Sequence, residues 1–559
     1  MKFKKIISCV LCLSLLLSFS GCKKSDGNLS GSLPEENTVL KTDTKNYITL
    51  LYSAADSFNP YTLKTDINRQ IVKLLYEPLV KLNNNFEVVN SLASSVVMDK
   101  KECRVTLKSV RFSDGTLLTS EDVIYSYNLA CNSATSYAKK LYEVESVESE
   151  GNTVVVFNIT KCDPYFPAVL DFPIIKKGSD ALTDSDSVSL PPIGCGKYRL
   201  NDENNGMVAN DYYFEKPKSI TDIKLINAPD NEAVAHYTEI GAADIYFTEI
   251  SDGNITRMSG NRQEINLNNL VYLGINQNHS PLGEERMRQA ISSALDRVKL
   301  CETAYYNNAL PATGFFHPAW RETDSVQNIQ IDAKTEITIE NLEEIGYNKL
   351  NSEGLRVNSK GVPLKFTLLV NSENRIRVLA ANTIARQLKS AGIGITVVEK
   401  EYAEYLSCLQ KGNFQLYLGE IKITDNMDFS QLVLKDGTAA FGLPKVSSEK
   451  DEKEKTEEDK ETAKKTEEET KEDENGQENK KEGTDSEEKD TSSQSVLNEF
   501  YNGNATVKDV AAVLQTEMPF VPICYRTGVL LYNENIENVK NSSFSDIYFS
   551  IYSYSVTKG

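Results

Sequence analysis

The chain predicts an α/β protein of two or three domains, and three observations carry that prediction. Leu364 to Val370 reads as a strand, Arg375 to Ala391 as an amphipathic helix closed by Gly392, and Ile395 to Val398 as a strand again, which is a β-α-β unit. Elsewhere short strand-like runs alternate with helical ones. The length of 559 residues exceeds one domain, and 40% apolar with 9% aromatic residues is enough for ordinary cores.

In chain order, Tyr47 to Tyr52 is strand-like and precedes an Asn59-Pro60 turn. Asn68 to Leu79 has helical spacing, with Ile71, Leu74 and Leu75 on one face. Cys103 to Leu107 alternates as a strand, and Thr119-Ser120-Glu121-Asp122 caps a helix running through Tyr127. Residues 446–495 are nearly devoid of apolar side chains and cannot offset an ordering entropy of ~1–2 kcal/mol per residue. They read as a disordered acidic surface insertion. From Glu449 to Asp490 there are 20 acidic and 10 basic residues, which is −10 of the formal net charge of −19. The rest is only mildly acidic, so net charge does not name a ligand. The acidity argues against a nucleic-acid partner, which needs a basic face to displace counterions.

The front of the chain is an address. Lys2, Lys4 and Lys5 precede an apolar run from Ile6 to Phe19, the length of a signal h-region and too short to span a bilayer. The run ends Phe19-Ser20-Gly21-Cys22, which resembles a bacterial lipoprotein signal: residues 1–21 are removed and Cys22 is lipidated. An ordinary signal peptide cut elsewhere is the alternative. Two or three acyl chains hold a protein stably at about 0.8 kcal/mol per buried CH₂, and residues 22–44 read as a flexible tether. Cys9 and Cys12 match a CxxC spacing only inside the leader. The other seven cysteines are odd in number and fit no zinc pattern, so they read as scattered thiols, with Cys162 and Cys195 the one pair singled out for a bridge.

Nothing announces an enzyme. His236, His279 and His317 are far apart and form no HExxH pair, and neither a G-x-S-x-G elbow nor a G-x-x-x-x-G-K-[ST] loop occurs. The expectation is no catalytic residue, no metal site and no cofactor, with any ATP hydrolysis on separate subunits.

Seven segments, in order, resemble solute-binding protein family 5, the peptide and nickel receptors of bacterial ABC importers. Val110 to Ser126, reading VRFSDGTLLTSEDVIYS, looks like the family's "v.FsDGtplTaeDVvyS". Pro192 to Tyr198, PIGCGKY, is similar to "PvGTGPY", with Cys195 and Lys197 departing from it. Asn210-Asp211-Tyr212-Tyr213 with Lys216-Pro217, Gly241 to Ile245, Arg286 to Arg297, Asn341 to Tyr347 and Gln387 to Ile393 complete the set. Mechanically these look like fold determinants: Gly115 lets a hairpin turn, Asp122 sits at a helix start, and Arg288 is expected to pair with Asp296.

The resemblance implies a class II periplasmic-binding-protein fold, two α/β lobes with a hinge plus an extra domain. Lobe I would comprise 45–75, 191–268 and 510–559, the extra domain 76–190, and lobe II 269–509 with the insertion in a surface loop. It also implies an oligopeptide ligand captured by closure, ABC permease subunits as partners, a monomer, and residence on the outer face of the cell membrane through the lipid anchor. Family members that bind peptides use an aspartate to pair with the peptide ammonium. Asp425 and Asp428 keep that D-x-x-D spacing, without the family's tryptophan before it. Trp320, in an aromatic loop after Phe315 and Phe316, is the candidate for a side-chain pocket, with core packing as the alternative. Asn276 is a further ligand candidate, and His279 beside it would serve a nickel chelate. Haem, an oligosaccharide, or a sensor role on the same fold are the other readings.

Overall fold

The computed structural model describes residues 44–557 apart from 186, 188, 251–257, 327–331 and 445–491. The leader, Cys22, almost all of the tether and most of the acidic insertion lie outside the described residues. Two edges of those expectations are corrected. Thr44 already pairs with Thr557 as a strand, and Ser493–Tyr501 is a helix whose N-cap Ser492 accepts from the Ser495 amide.

Two hydrophobic cores organise the described residues. The first lies under a four-stranded sheet in the order Tyr47–Tyr52, Asp222–Asn227, Gly206–Ala209, Tyr198–Leu200 and under an antiparallel sheet ordered Ala93–Asp99, Glu102–Leu107, Val154–Ile159, Val144–Glu150. The predicted alternation is visible: Cys103, Val105 and Leu107 point inward, while Arg104 and Thr106 are half-buried. Thr119 and Asp122 form the capping box of the Ser120–Asn132 helix, and Gly115 turns the preceding hairpin at φ +85.

The second core lies under a sheet ordered Ile245–Thr248, Phe520–Tyr532, Asn261–Ile275, Leu416–Lys422, Lys365–Asn371, Gly394–Lys400. The β-α-β unit is there. Lys365–Asn371 and Gly394–Lys400 pair in parallel, and the Arg375–Ser390 helix buries Ile376, Ala380, Ile384 and Leu388 against the sheet. The isoleucines and the leucine each contribute about 1.5–3 kcal/mol when fully buried. Gly392, at φ +86, ends that helix.

One ribbon joins the cores. Asn261–Ile275 and Phe520–Tyr532 are antiparallel over most of their length, with an irregularity between Asn266 and Leu270. Ile265 before it, Leu267 within it and Leu530 on the other strand pack in the first core; after it, Leu270 to Leu273 with Phe520, Val521 and Ile523 to Tyr525 pack in the second. The ladder is therefore interrupted where core membership changes, which is where a ribbon bends at least cost. Residues 510–525 pack in the second core, so the return to the first core comes later than the expected 510.

Three local expectations are corrected. The helix expected from Asn68 to Leu79 is Asp66–Ile71 followed by a tight turn at Val72–Leu74. It stops where Gly196 approaches so closely that a Cβ there would lie 2.3 Å from the Leu74 carbonyl oxygen. Arg288 does not pair with Asp296, because the Glu285–Ser293 helix ends before Asp296, which caps the next helix through the Lys299 amide at 2.8 Å. Arg288 instead donates to the carbonyls of Gly283 and Glu517 at 2.6 and 2.8 Å. Cys162 and Cys195 are not bridged, and all seven cysteines are free thiols.

A candidate ligand cleft

A cavity of about 1110 Å³ opens among the segments at 60–81, 134–140, 228–235, 246–250 and 544–546, and Lys422 reaches it from the second sheet. That volume lies slightly above the ~300–1,000 Å³ typical of small-molecule pockets. Tyr246 to Thr248, on the edge strand of the ribbon sheet, form part of the wall.

The wall is charged in an organised way. Lys81 contacts Glu77 at 2.6 Å and Asp546 at 2.8 Å, and buried Lys197 contacts Asp546 at 3.0 Å. Tyr213 donates to Glu77 at 3.1 Å. Burial raises the Asp546 carboxyl, but the Lys197 and Lys81 ammoniums outweigh it and hold the group well below the usual carboxylate range. Lys197 stands where the resembled motif has proline, and its ammonium ties the C-terminal segment to the first sheet through Asp546 and the Tyr548 carbonyl.

Lys140 lies 2.7 Å from Asp171 and also pairs with Asp425. Lys140 and Asp171 line the cavity, whereas buried Asp425 stands behind them. Burial raises the Asp171 carboxyl, which Lys140 opposes, and its Oδ1 has no hydrogen-bond partner. Asp428 is enclosed by Tyr142 Oη and the Ser430 amide, each at 2.8 Å, and by the Tyr501 hydroxyl. The two aspartates of the D-x-x-D pattern thus share one loop, turned by Met427 at φ +59, that docks on residues 140–142.

The other sequence candidates lie apart from the cavity wall. Trp320 is 6% exposed in the second core, edge-on to Tyr165 at 4.9 Å and beside Phe316. Asn276 donates to the Phe414 carbonyl at 3.0 Å and the Gly412 carbonyl at 3.1 Å, and accepts from Asn278. His279 is exposed. His317 is fully buried between Phe86 and Tyr525, and burial pushes its imidazole down to about 3. Glu420, where the family carries tryptophan, is held by Arg526 at 2.8 Å and Arg377 at 2.9 Å. Among the described residues no group of three or more His, Cys, Asp or Glu side chains is placed to hold a metal ion, and no histidine lines the cavity.

Sequence reasoning missed the lysines of the cleft. Two signals were present: Lys73 interrupts the apolar run Ile71 to Leu75, and Lys422 follows the largely apolar run Leu416 to Ile421.

Comparison with known proteins bears on the family and the fold. Oligopeptide-binding protein AppA of Bacillus subtilis is 24% identical over 436 residues, covering 73% of this chain and 78% of AppA. The dipeptide-binding protein of Escherichia coli is 24% identical over 412 residues, covering 66% and 74% of the two chains. The crystal structure of a nickel ABC transporter protein from Bacillus halodurans aligns with a TM-score of 0.66 at 18% identity, over 92% of this chain and all of that one. The AppA structure with a nonapeptide aligns at 0.54 and 19% identity, over 92% of this chain and all of AppA. Residues 87–441 match the family described as bacterial extracellular solute-binding proteins, family 5 Middle. With most of its length covered by that match and its fold shared with solved members, the chain belongs to the family 5 bacterial extracellular solute-binding proteins.

Proposed function

We propose that this chain is the substrate-binding subunit of an ABC importer, capturing peptides outside the cell and handing them to membrane permease subunits. Lipidation of Cys22 anchors it to the outer face of the membrane, and among the described residues no helix is long and apolar enough to cross one. The protein binds and delivers; it performs no chemistry. The observation that carries this reading is the 1110 Å³ cavity beside the ribbon that links the two cores. A ligand with higher affinity for the closed arrangement shifts the population toward it, and the interruption at Asn266 to Leu270 is the point of flexure.

Peptide main chain would be gripped as an added strand on the wall that includes Tyr246 to Thr248. Two relatives are named for oligopeptide and dipeptide binding, which favours peptide over the nickel of a third. The amine role expected of Asp425 passes through Lys140, which a peptide ammonium must displace to reach it. Trp320 and Asn276 lie away from the wall, where one packs on Tyr165 and the other holds the Gly412 to Phe414 turn.

The test is thermal unfolding of the purified chain with a pool of di- to decapeptides, and separately with nickel-histidine, haem and oligosaccharides. A bound ligand at 100 times its Kd adds about 2.7 kcal/mol. A rise with peptides alone is the expected result; a rise only with a chelate, haem or sugar overturns the peptide reading. Loss of the peptide rise in Asp425→Asn assigns the amine role, and its survival removes it.

A further inference from the structure

The buried acids beside the cleft are met by lysines of the chain itself. Glu77 and Asp546 hold Lys81, and Asp171 and Asp425 hold Lys140. The two groups differ in where their members come from. Leu79, Val80 and Ile547, neighbours of the first group, all pack in the first core. In the second group, Leu141, Leu170 and Phe172 place Lys140 and Asp171 in the first core, whereas Ile423 and Met427, two positions either side of Asp425, pack in the second. Two carboxylates thus converge from two cores on one ammonium. Their side chains are 13% and 6% exposed, and that of Lys140 is 9% exposed.

Carboxylates brought this close repel, and burial removes the water that would screen them. Lys140 answers that repulsion. Burial lowers its ammonium, but the Asp171 and Asp425 charges outweigh burial and hold it above the ordinary lysine range. The Asp171 oxygen that Lys140 leaves unpaired is shielded from solvent, and Asp425 does not line the cavity. Asp66, Asp230, Glu232 and Glu249 also line it. The first three are exposed, Asp66 pairing with Arg69 and Asp230 capping its own helix through the Ala233 amide, and Glu249 lies 3.8 Å from Arg526. Exposed carboxylates hold an ammonium weakly, because water competes.

A ligand ammonium reaches the buried pair only by displacing Lys140. That residue closes the short helix Tyr137–Lys140, its Nζ 5.9 Å from the centre of the Tyr137 ring. Tethered in this way, it competes at an effective concentration of about millimolar or more. It is also fully charged at neutral pH, whereas the α-amino group of a peptide, with an ordinary value of about 8, is partly neutral.

We infer that Lys140 is a specificity residue of the cleft: it fills the place of a ligand ammonium between Asp171 and Asp425, so that N-blocked peptides are taken as well as free ones. The contact that draws the two cores together is supplied by the chain and not by the ligand. This deepens the peptide-capture reading and rests on it for the kind of ligand, while the ammonium place itself is open to a test without peptides.

The experiment is titration calorimetry on the purified full chain with one pool of di- to decapeptides, prepared with free and with acetylated amino termini. The wild type is expected to bind both forms within about threefold of each other. Lys140→Met, checked for folding by its melting temperature, vacates the place and is expected to prefer the free form by about 10- to 100-fold, the worth of a charge-assisted hydrogen bond. Wild-type binding weakened tenfold or more by acetylation overturns the inference while leaving peptide capture in place, and that comparison needs no variant to fold. Equal binding of both forms by Lys140→Met also overturns it, leaving Lys140 a counter-ion only.

If no peptide binds, the capture reading falls and the amine is supplied alone. Against sodium chloride at equal concentration, n-butylammonium chloride is expected to raise the melting temperature of Lys140→Ala, or to restore its folding, and to leave the wild type unchanged. That result upholds the ammonium place without peptides; its absence overturns it.

Discussion

Phe544 and Asp546 are two residues apart on one segment, and each gathers two lysines. Around Asp546, Lys81 and Lys197 are paired by a carboxylate. Around Phe544, Lys73 and Lys422 meet a ring. The consequences are opposite. Asp546 and Glu77 carry Lys81 above its ordinary value despite burial, whereas burial pushes Lys73 down to about 7. The first cluster is complete and ties the C-terminal segment to the first sheet; the second is incomplete, a ring and a carbonyl taking the place of the carboxylate. The same residue type in the same wall holds its proton tightly where the fold places a carboxylate in contact and loosely where it does not.

The largest expected effect tests the complete half. Asp546→Asn leaves Lys81 and Lys197 under-compensated, and loss of one partner of a buried ion pair costs about 3–5 kcal/mol. Denaturant unfolding should show a fall of that size; a loss below about 1 kcal/mol would erase the distinction between the clusters. The acid limb of the stability curve gives the sign. Asp546 is depressed in the folded state, so its contribution is full above the ordinary carboxylate value of about 4 and is lost as the pH falls toward its folded value.

The matching substitution in the incomplete half is expected to act in the other direction. Lys73→Met removes a desolvated charge that has no carboxylate partner, so unfolding stability should hold or rise, by up to about 1–2 kcal/mol. Lys81→Met should lower it. If both variants fall equally, Lys73 is as structural as Lys81.

A smaller effect concerns pH. Lys73 is depressed in the folded state, so the unfolded chain binds the extra proton between about 7 and the ordinary lysine value of about 10. Wild-type stability should rise with pH there, by up to about 1.4 kcal/mol per unit. The groups acting on Lys73 are Lys422, Asp546, Asp171 and Glu249, and burial of Lys422 adds to the same trend. Lys73→Arg should flatten the profile, because guanidinium stays charged throughout. A profile unchanged by Lys73→Arg would assign the titration elsewhere.

The smallest effect is expected from salt. Raising ionic strength from about 0.1 to 0.5 M shortens the screening length. The unfolding contribution of the buried Asp546 network should barely change, because buried pairs are screened far less.

These tests bear on how function can be read from a chain. The β-α-β unit was legible because Ile376, Ala380, Ile384 and Leu388 repeat at helical spacing between two strand-like runs, and burial follows that period. The capping box at Thr119 and Asp122 and the turn at Gly115 were legible for the same reason: their partners lie within a few residues. Failures came where the partner was distant. Arg288 was assigned to Asp296 by spacing, but its carbonyl partners include Glu517 and Met518. The helix after Thr65 was cut short by the backbone near Gly194 and Gly196, more than a hundred positions away. Asp425 and Asp428 share a loop, as their spacing implied, but Lys140 and Tyr142 decide what their carboxylates meet.

By itself, then, the sequence determined the α/β class, the local elements and the family resemblance, because apolar periodicity, caps and turn glycines act over one or two turns of chain. Only the tertiary structure decided which lysines meet a carboxylate and which meet a ring. Lys73, Lys81, Lys197 and Lys422 are alike as residues; their difference is whether the Asp546 carboxylate or the Phe544 ring and carbonyl is the group in direct contact, a contact made across as many as 471 positions of chain.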